Sequence, residues 1–260
     1  MKIKQFGVIS FVVFIIVLVS PIFTSAAAKL DSSDQSCLYR VTFVRAAPGK
    51  LLDLIDLFKD RMPVYDSMGD SRPFWWRHTQ GDQWDLMMLF PMGSYTEYYS
   101  LERANRRTGA ENKADLSAEE FKDKFREFSS WHEDIFVIGP SLKIVEESFE
   151  NTGYYHVEIF VALPGKYKEL FKEREMENLY AVGIGRPENL IFTRDKGAAW
   201  DMFTLGCYRD LKHWASSSDI PNEKKEAAAI KAGFKSGSEI GPYMRTLIVM
   251  HRDTMGVAIK

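Results

Sequence analysis

Tyr39-Arg-Val-Thr-Phe-Val-Arg-Ala-Ala-Pro-Gly-Lys50 and Tyr155-His-Val-Glu-Ile-Phe-Val-Ala-Leu-Pro-Gly-Lys166 are diverged copies of one segment, 116 positions apart. The same spacing carries Trp84-Asp85 onto Trp200-Asp201, Leu89 onto Leu205 and the aromatic Tyr98 onto Trp214. Nearer each end, Ile138-Gly139-Pro140 pairs with Ile240-Gly241-Pro242 at a spacing of 102, which places a longer connection in the first copy. A match that recurs along the chain at long period marks a repeated structural unit. The copies cover residues 37–150 and 153–260, joined at Asn151-Thr152-Gly153.

Within the first copy, Tyr39, Val41 and Phe43 alternate with Arg40 and Thr42, as a half-buried strand requires, and Pro48-Gly49 ends the run. Leu51, Leu54, Ile55, Phe58 and Met62 follow at helical spacing, with Pro63 closing that helix. Phe74 to Thr79 and Trp84 to Phe90 flank Gln80-Gly81-Asp82-Gln83 as a hairpin. In the second copy Asn189 to Thr193 and Trp200 to Leu205 do the same around Asp195-Lys196-Gly197. Ser117 with Glu120 is a capping box opening a second helix, its face marked by Phe121, Phe125, Phe128 and Trp131. Ser141 to Ser148 is expected as the closing strand.

The order β-α-β-β-α-β is the ferredoxin-like unit, of α+β class. Its sheet carries both helices on one face and leaves the other bare, so two units in one chain should pack bare face to bare face. The expectation is one eight-stranded barrel within the chain, helices outside. On its Pro48-Gly49-Lys50 and Pro164-Gly165-Lys166 openings and its Trp84 and Trp200 strands, the chain resembles the dimeric α/β-barrel superfamily. That superfamily includes antibiotic-biosynthesis-monooxygenase-like, stress-responsive barrel and NIPSNAP-like families. The resemblance implies a fold far more than a function, because its motifs are structural.

Composition bounds the function classes. A formal charge of −2 over 260 residues excludes a broad electrostatic footprint for nucleic acid. Residues 1–28 combine Lys2 and Lys4, an apolar run from Phe6 to Phe23 and small residues at Ser25-Ala26-Ala27-Ala28, the grammar of an export signal. The expected location is secreted or periplasmic, with membrane contact only through that segment if it stays uncleaved. Cys37 and Cys207 are a lone pair that such a compartment could oxidise. There is no phosphate-binding glycine loop, no zinc-type Cys/His spacing and no Gly-x-Ser-x-Gly elbow.

Placing the apolar parity of the first strands under the helices turns Arg40, Thr42, His156 and Glu158 into the barrel. His156 and Glu158, two apart on one strand, could work as a general base or give ligands to a metal, or they could satisfy each other as a buried pair with Arg40 as counter-ion. His78 on the second strand could line a pocket, and Trp75, Trp76, Trp84 and Trp200 could stack a flavin, haem or quinone-like ring, or these aromatics could be core. Asp85 and Asp201, just after each hairpin loop, are expected to accept backbone hydrogen bonds. His132 and His213 read as helical, and His251 lies near the C-terminus. Three functions follow: a barrel binding a small apolar or aromatic molecule inside, an enzyme resembling the cofactor-free monooxygenases or haem-handling members of the superfamily with His156, Glu158 and Arg40 at work, and a structural protein with a filled barrel.

Overall fold

The computed structural model describes residues 36–259, so the segment expected to be an export signal lies outside the described residues. Eight strands run in chain order as β1 (Cys37–Ala46), β2 (Phe74–Gln80), β3 (Leu86–Gly93), β4 (Ser129–Gly139), β5 (Tyr154–Ala162), β6 (Leu190–Lys196), β7 (Met202–Tyr208) and β8 (Ile248–Ala258). They form one antiparallel sheet that closes in a ring, in the order β1-β3-β2-β8-β5-β7-β6-β4. The first half supplies β4-β1-β3-β2 and the second β8-β5-β7-β6, and the two runs meet at the β2·β8 and β4·β6 seams.

In the first half the helices are α1 (Leu51–Met68), α2 (Tyr95–Tyr98), α3 (Leu101–Glu111), α4 (Ala118–Phe128) and α5 (Leu142–Phe149); α1 and α4 cover the outer face, whereas α5 turns Val145 and Phe149 to the inner cluster. In the second half they are α6 (Tyr167–Gly183), α7 (Leu211–Ala215), α8 (Asn222–Ala232) and α9 (Ile240–Arg245). The two Pro-Gly turns serve alike, with Gly49 at φ +76° and Gly165 at φ +79°, a conformation that a Cβ disfavours. Ser117 and Glu120 make the expected capping box of α4. Asp85 Oδ2 accepts from the Ala46 amide and Asp201 Oδ2 from the Ala162 amide, each at 2.8 Å, so both aspartates tie a strand start to the end of its neighbour.

The closing strand is not where the sequence pattern put it. Ser129–Gly139 is β4, whereas Ser141 caps the position before α5. Trp131 and His132 therefore belong to the strand and not to the preceding helix, and His251 lies on β8. The Ile-Gly-Pro match aligns the end of β4 with the start of α9, two different elements. Pro63 does not end α1, which continues to Met68 and stops at Gly69, φ +68°. Burial of Leu54, Phe58, Met62 and Met68 along one face holds the helix through the proline. Cys37 and Cys207 are both buried and free, so no disulfide forms between them.

The largest correction concerns the faces of the strands. Tyr39, Val41, Phe43, Trp76, Leu89, Val137, Tyr155, Val157, Phe192, Phe203 and Leu205 belong to one buried cluster drawn from all around the ring. Tyr39 and Phe192, on strands that are not neighbours, meet edge to face at 5.5 Å, and Trp76 packs on Tyr155 at 5.3 Å. Gly139 has no room for a Cβ, which would lie 2.3 Å from the Phe192 ring. The interior expected to hold a ligand is thus a side-chain core. Arg40, Thr42, His156 and Glu158 have the opposite parity and face the helices, beside the outer clusters of Val44, Met88 and Phe90 under α1 and of Phe160 and Met202 under α6. The physical reason is water access. A closed ring seals its interior on every side and so takes the wholly apolar parity, while an outer face under amphipathic helices can find polar partners.

Candidate functional site

The second half concentrates charge between the sheet and α6. On this helix Leu170, Glu173, Arg174 and Glu177 follow i, i+3, i+4, i+7 and turn one face to the strands. Arg174 is 1% exposed and lies over the Phe160 ring at 4.6 Å. Its guanidinium meets Glu173 at 2.5 Å and Glu177 at 3.0 Å, and comes to 3.9 Å from Glu158. Glu158 Oε2 also accepts a 3.0 Å bond from Thr204 on β7. On β8, Asp253 lies directly across from Glu158 in the ladder. His156 Nε2 is 3.0 Å from Asp253 Oδ1, and His251 Nε2 is 3.1 Å from Asp253 Oδ2. The ligand-type atoms of His156, Glu158 and Asp253 all lie within 4.8 Å of one another.

Four carboxylates here face one arginine, and the proton affinities respond. Burial works against the His156 imidazolium, but the bond to Asp253 and the charges of Glu158, Asp253 and Glu177 outweigh it, holding its pKa above the ordinary histidine value. The same bond, with the charges of His156 and His251, holds Asp253 below the usual carboxylate range. Burial pushes Glu173 up to about 7 against the pull of Arg174, and it raises Glu177 as well.

Beside this cluster opens a groove of about 610 Å³, lined among others by Glu177, Tyr180, Arg186, Tyr208 and Trp214. The imidazole of His156 lies 6.4 Å from the ring of Trp214, which lines the groove. Arg186 lies over the Tyr208 ring at 4.8 Å and donates to the Trp214 carbonyl at 2.7 Å, which ties β7 to α7. Gly206 makes room for this arrangement, since a Cβ there would meet the Tyr208 hydroxyl and the Asn189 side chain at 2.8 Å. A larger groove of about 1050 Å³ lies along α1, α3 and α4, but its walls carry Asp53, Asp56, Asp60, Lys59, Lys113 and Lys124. Mixed exposed charge of that kind is a solvated surface. The smaller groove, with aromatic walls and convergent polar groups at one end, has the character of a ligand site.

Of the residues singled out in the sequence, the structure brings only His156 and Glu158 together. Arg40 and Thr42 lie in the first half, where Thr42 donates to Asp134 at 2.5 Å and Arg40 stands 3.8 Å from Asp134 and 4.3 Å from the Phe90 ring centre. Trp76 is fully buried inside the ring, whereas Trp75 packs on Phe58 under α1. His78 borders Trp84, at 5.9 Å. Arg174, Asp253, Thr204, Tyr208 and Trp214 carry the site without having been singled out for it. A signal for part of this set exists in the repeat itself. At the spacing of 116, the apolar Leu57 and Phe58 become Glu173 and Arg174, and Arg61 becomes the oppositely charged Glu177.

Among the described residues no helix is long and apolar enough to cross a membrane. No protein-family model matches the chain, and no curated protein matches it. Solved structures do. An anthrone oxidase-like protein matches with TM-score 0.52 and 10% identity, over 88% of this chain and 93% of its own. A candidate monooxygenase from Fusobacterium nucleatum matches with TM-score 0.53 and 10% identity, over 86% and 93%. At such identities a likeness speaks for the fold alone. The strand order, the outer helices and these two likenesses together show that the chain has the ferredoxin-like, dimeric α/β-barrel fold.

Proposed function

We propose that the protein binds a small aromatic molecule bearing an oxygen function in the groove between α6 and α7, outside the ring. The observation that carries this reading is the juxtaposition of Trp214, Tyr208 and Tyr180 as apolar walls with Arg186 and the His156–Asp253 pair as polar groups. A planar ring would stack on the indole and phenol faces, and its oxygen would meet the guanidinium or imidazole. Titrating the protein with an anthraquinone-type probe while following tryptophan fluorescence tests this. Saturable quenching, weakened at least about tenfold by Trp214→Ala and by Arg186→Ala, is expected from loss of a stacking or charge-assisted contact. Quenching that both variants leave unchanged would refute the groove as the site.

A second reading is catalytic and rests on the hydrogen bond between His156 and Asp253. In it, His156 accepts a proton from an activated CH2 of the bound molecule, the carbanion reduces dioxygen and adds it to form a C–O bond, the proton returns to give a hydroperoxide, and loss of water leaves a carbonyl. The likenesses to an anthrone oxidase-like protein and to a candidate monooxygenase support it at the level of fold only. Oxygen uptake with an anthrone as probe, abolished by His156→Ala, is its expected signature. A haem does not fit this site, because the imidazole of His156 is held by Asp253 among carboxylates that would repel the propionates of a porphyrin.

We also infer that the two halves are copies of one unit and that residues 1–28 direct export. The first is supported by the spacing of 116 and by the equivalent bonds of Asp85 and Asp201. N-terminal sequencing of the mature protein from the culture fluid or periplasm would test the second.

A further inference from the structure

We propose that His156, Glu158 and Asp253 form a site for one divalent transition-metal ion such as Zn²⁺ or Mn²⁺. One imidazole nitrogen and two carboxylates come from adjacent strands β5 and β8 and share the outer face of the sheet. Metal–ligand bonds of about 2.1 Å at tetrahedral angles place ligand atoms roughly 3.4 Å apart. His156 Nε2 and Asp253 Oδ1 already stand at 3.0 Å, and the ligand-type atoms of all three residues lie within 4.8 Å of one another. A nitrogen–oxygen donor set of this kind suits a borderline ion better than Ca²⁺ or Mg²⁺.

The supports of the three groups match those of metal ligands. Thr204 donates to Glu158, and His251 lies against the outer oxygen of Asp253, so both carboxylates are oriented from behind. One further observation favours a cation. Glu158 and Asp253 are directly opposite in the ladder, where like charges repel, and of these two Arg174 reaches only Glu158. The one arginine is shared among Glu158, Glu173 and Glu177, and Asp253 is left to histidines.

The site goes beyond the aromatic groove and does not depend on it. It does exclude a free imidazole at His156, since ion and proton compete for the same ring. The test is calorimetric titration of the chelator-treated full chain with Zn²⁺, and Mn²⁺ titration followed by electron paramagnetic resonance. One ion per chain is expected, with affinity reduced about 10- to 100-fold or more by His156→Ala, by Asp253→Asn and by Glu158→Gln, and unchanged by Asp134→Asn in the first half. Circular dichroism of each variant confirms that it is folded. No binding by the parent chain, or binding that all three variants leave intact, overturns the proposal. Quenching by the anthraquinone probe in metal-free protein is read separately, so loss of the ion site and loss of the aromatic site are distinguishable.

Discussion

Thr42 with Asp134 and Glu158 with Asp253 occupy the same cross-strand place in the two halves of the ring. In the first half the aspartate receives a hydroxyl proton from Thr42 and has Arg40 nearby, so its charge is answered locally. In the second half the corresponding aspartate faces another carboxylate, and the helix above contributes one buried and one half-buried glutamate and a buried arginine. Inside the ring the halves do not differ in this way. Trp76 and Phe192, equivalent at the spacing of 116, are both fully buried in the shared core. The core is alike in the two halves, and the cluster of carboxylates around one arginine lies on one outer face. Excess charge under a helix is costly to keep, and such places are where ligand chemistry is found.

The largest effect should show that the interiors are equal. Trp76→Ala and Phe192→Ala are each expected to cost about 3–5 kcal/mol in denaturant unfolding, as large-to-small changes in a closed core do. A cost confined to one of the two would break the equivalence. Next comes Glu173, whose place is taken by Leu57 in the first half. Its folded pKa of about 7 lies above the ordinary carboxylate value, so the folded state holds its proton more tightly than the unfolded state. Wild-type stability should therefore fall as pH rises from the ordinary carboxylate range through about 7, and Glu173→Gln should be more stable above pH 7, by on the order of 1–3 kcal/mol, with the difference vanishing toward pH 4. Thermal melts at pH 5 and pH 8 check it, and an advantage that grows toward low pH would be the wrong sign.

Smaller is the contrast between the paired aspartates. Asp134→Asn should destabilise by about 1 kcal/mol through loss of the charge-assisted bond from Thr42. Asp253→Asn in metal-free protein should destabilise by less than about 1 kcal/mol, because its bonds to His156 and His251 are lost but are half-exposed to solvent. Equal costs would erase the asymmetry between the halves. Smallest is the thiol test. Burial pushes Cys207 up to about 12 and raises Cys37 as well, so neither should react with an aromatic disulfide reagent at pH 8 until the chain is unfolded.

Much of the fold was legible because the repeated Pro-Gly turns, the capping box and the alternation in β1 and β5 are local patterns. The faces of those strands were not legible in the same way. Alternation separates Tyr39, Val41 and Phe43 from Arg40 and Thr42, but it does not say which set meets the helices, and when both faces are covered the choice depends on ring closure. The site was half legible. His156 and Glu158 lie two apart on one strand and could be paired by counting. Asp253 could not, because the pattern puts the closing strand of the first unit at Ser141 to Ser148, a segment that folds as helix α5, and so gives no register for β8. Arg174 and Glu173 were visible only as departures from Phe58 and Leu57 in the other copy.

The β2·β8 and β4·β6 seams join the two halves within a single polypeptide. Ring formation is then a first-order event, set by the effective concentration of two tethered partners and indifferent to dilution. It also leaves no open strand edge to recruit another chain. A ring built from two identical chains would have to carry every substitution twice, once on each side of its symmetry axis. Covalent joining removes that constraint, so the chain can lodge an unbalanced set of charges beneath α6 while α1 keeps its apolar grip on the other side.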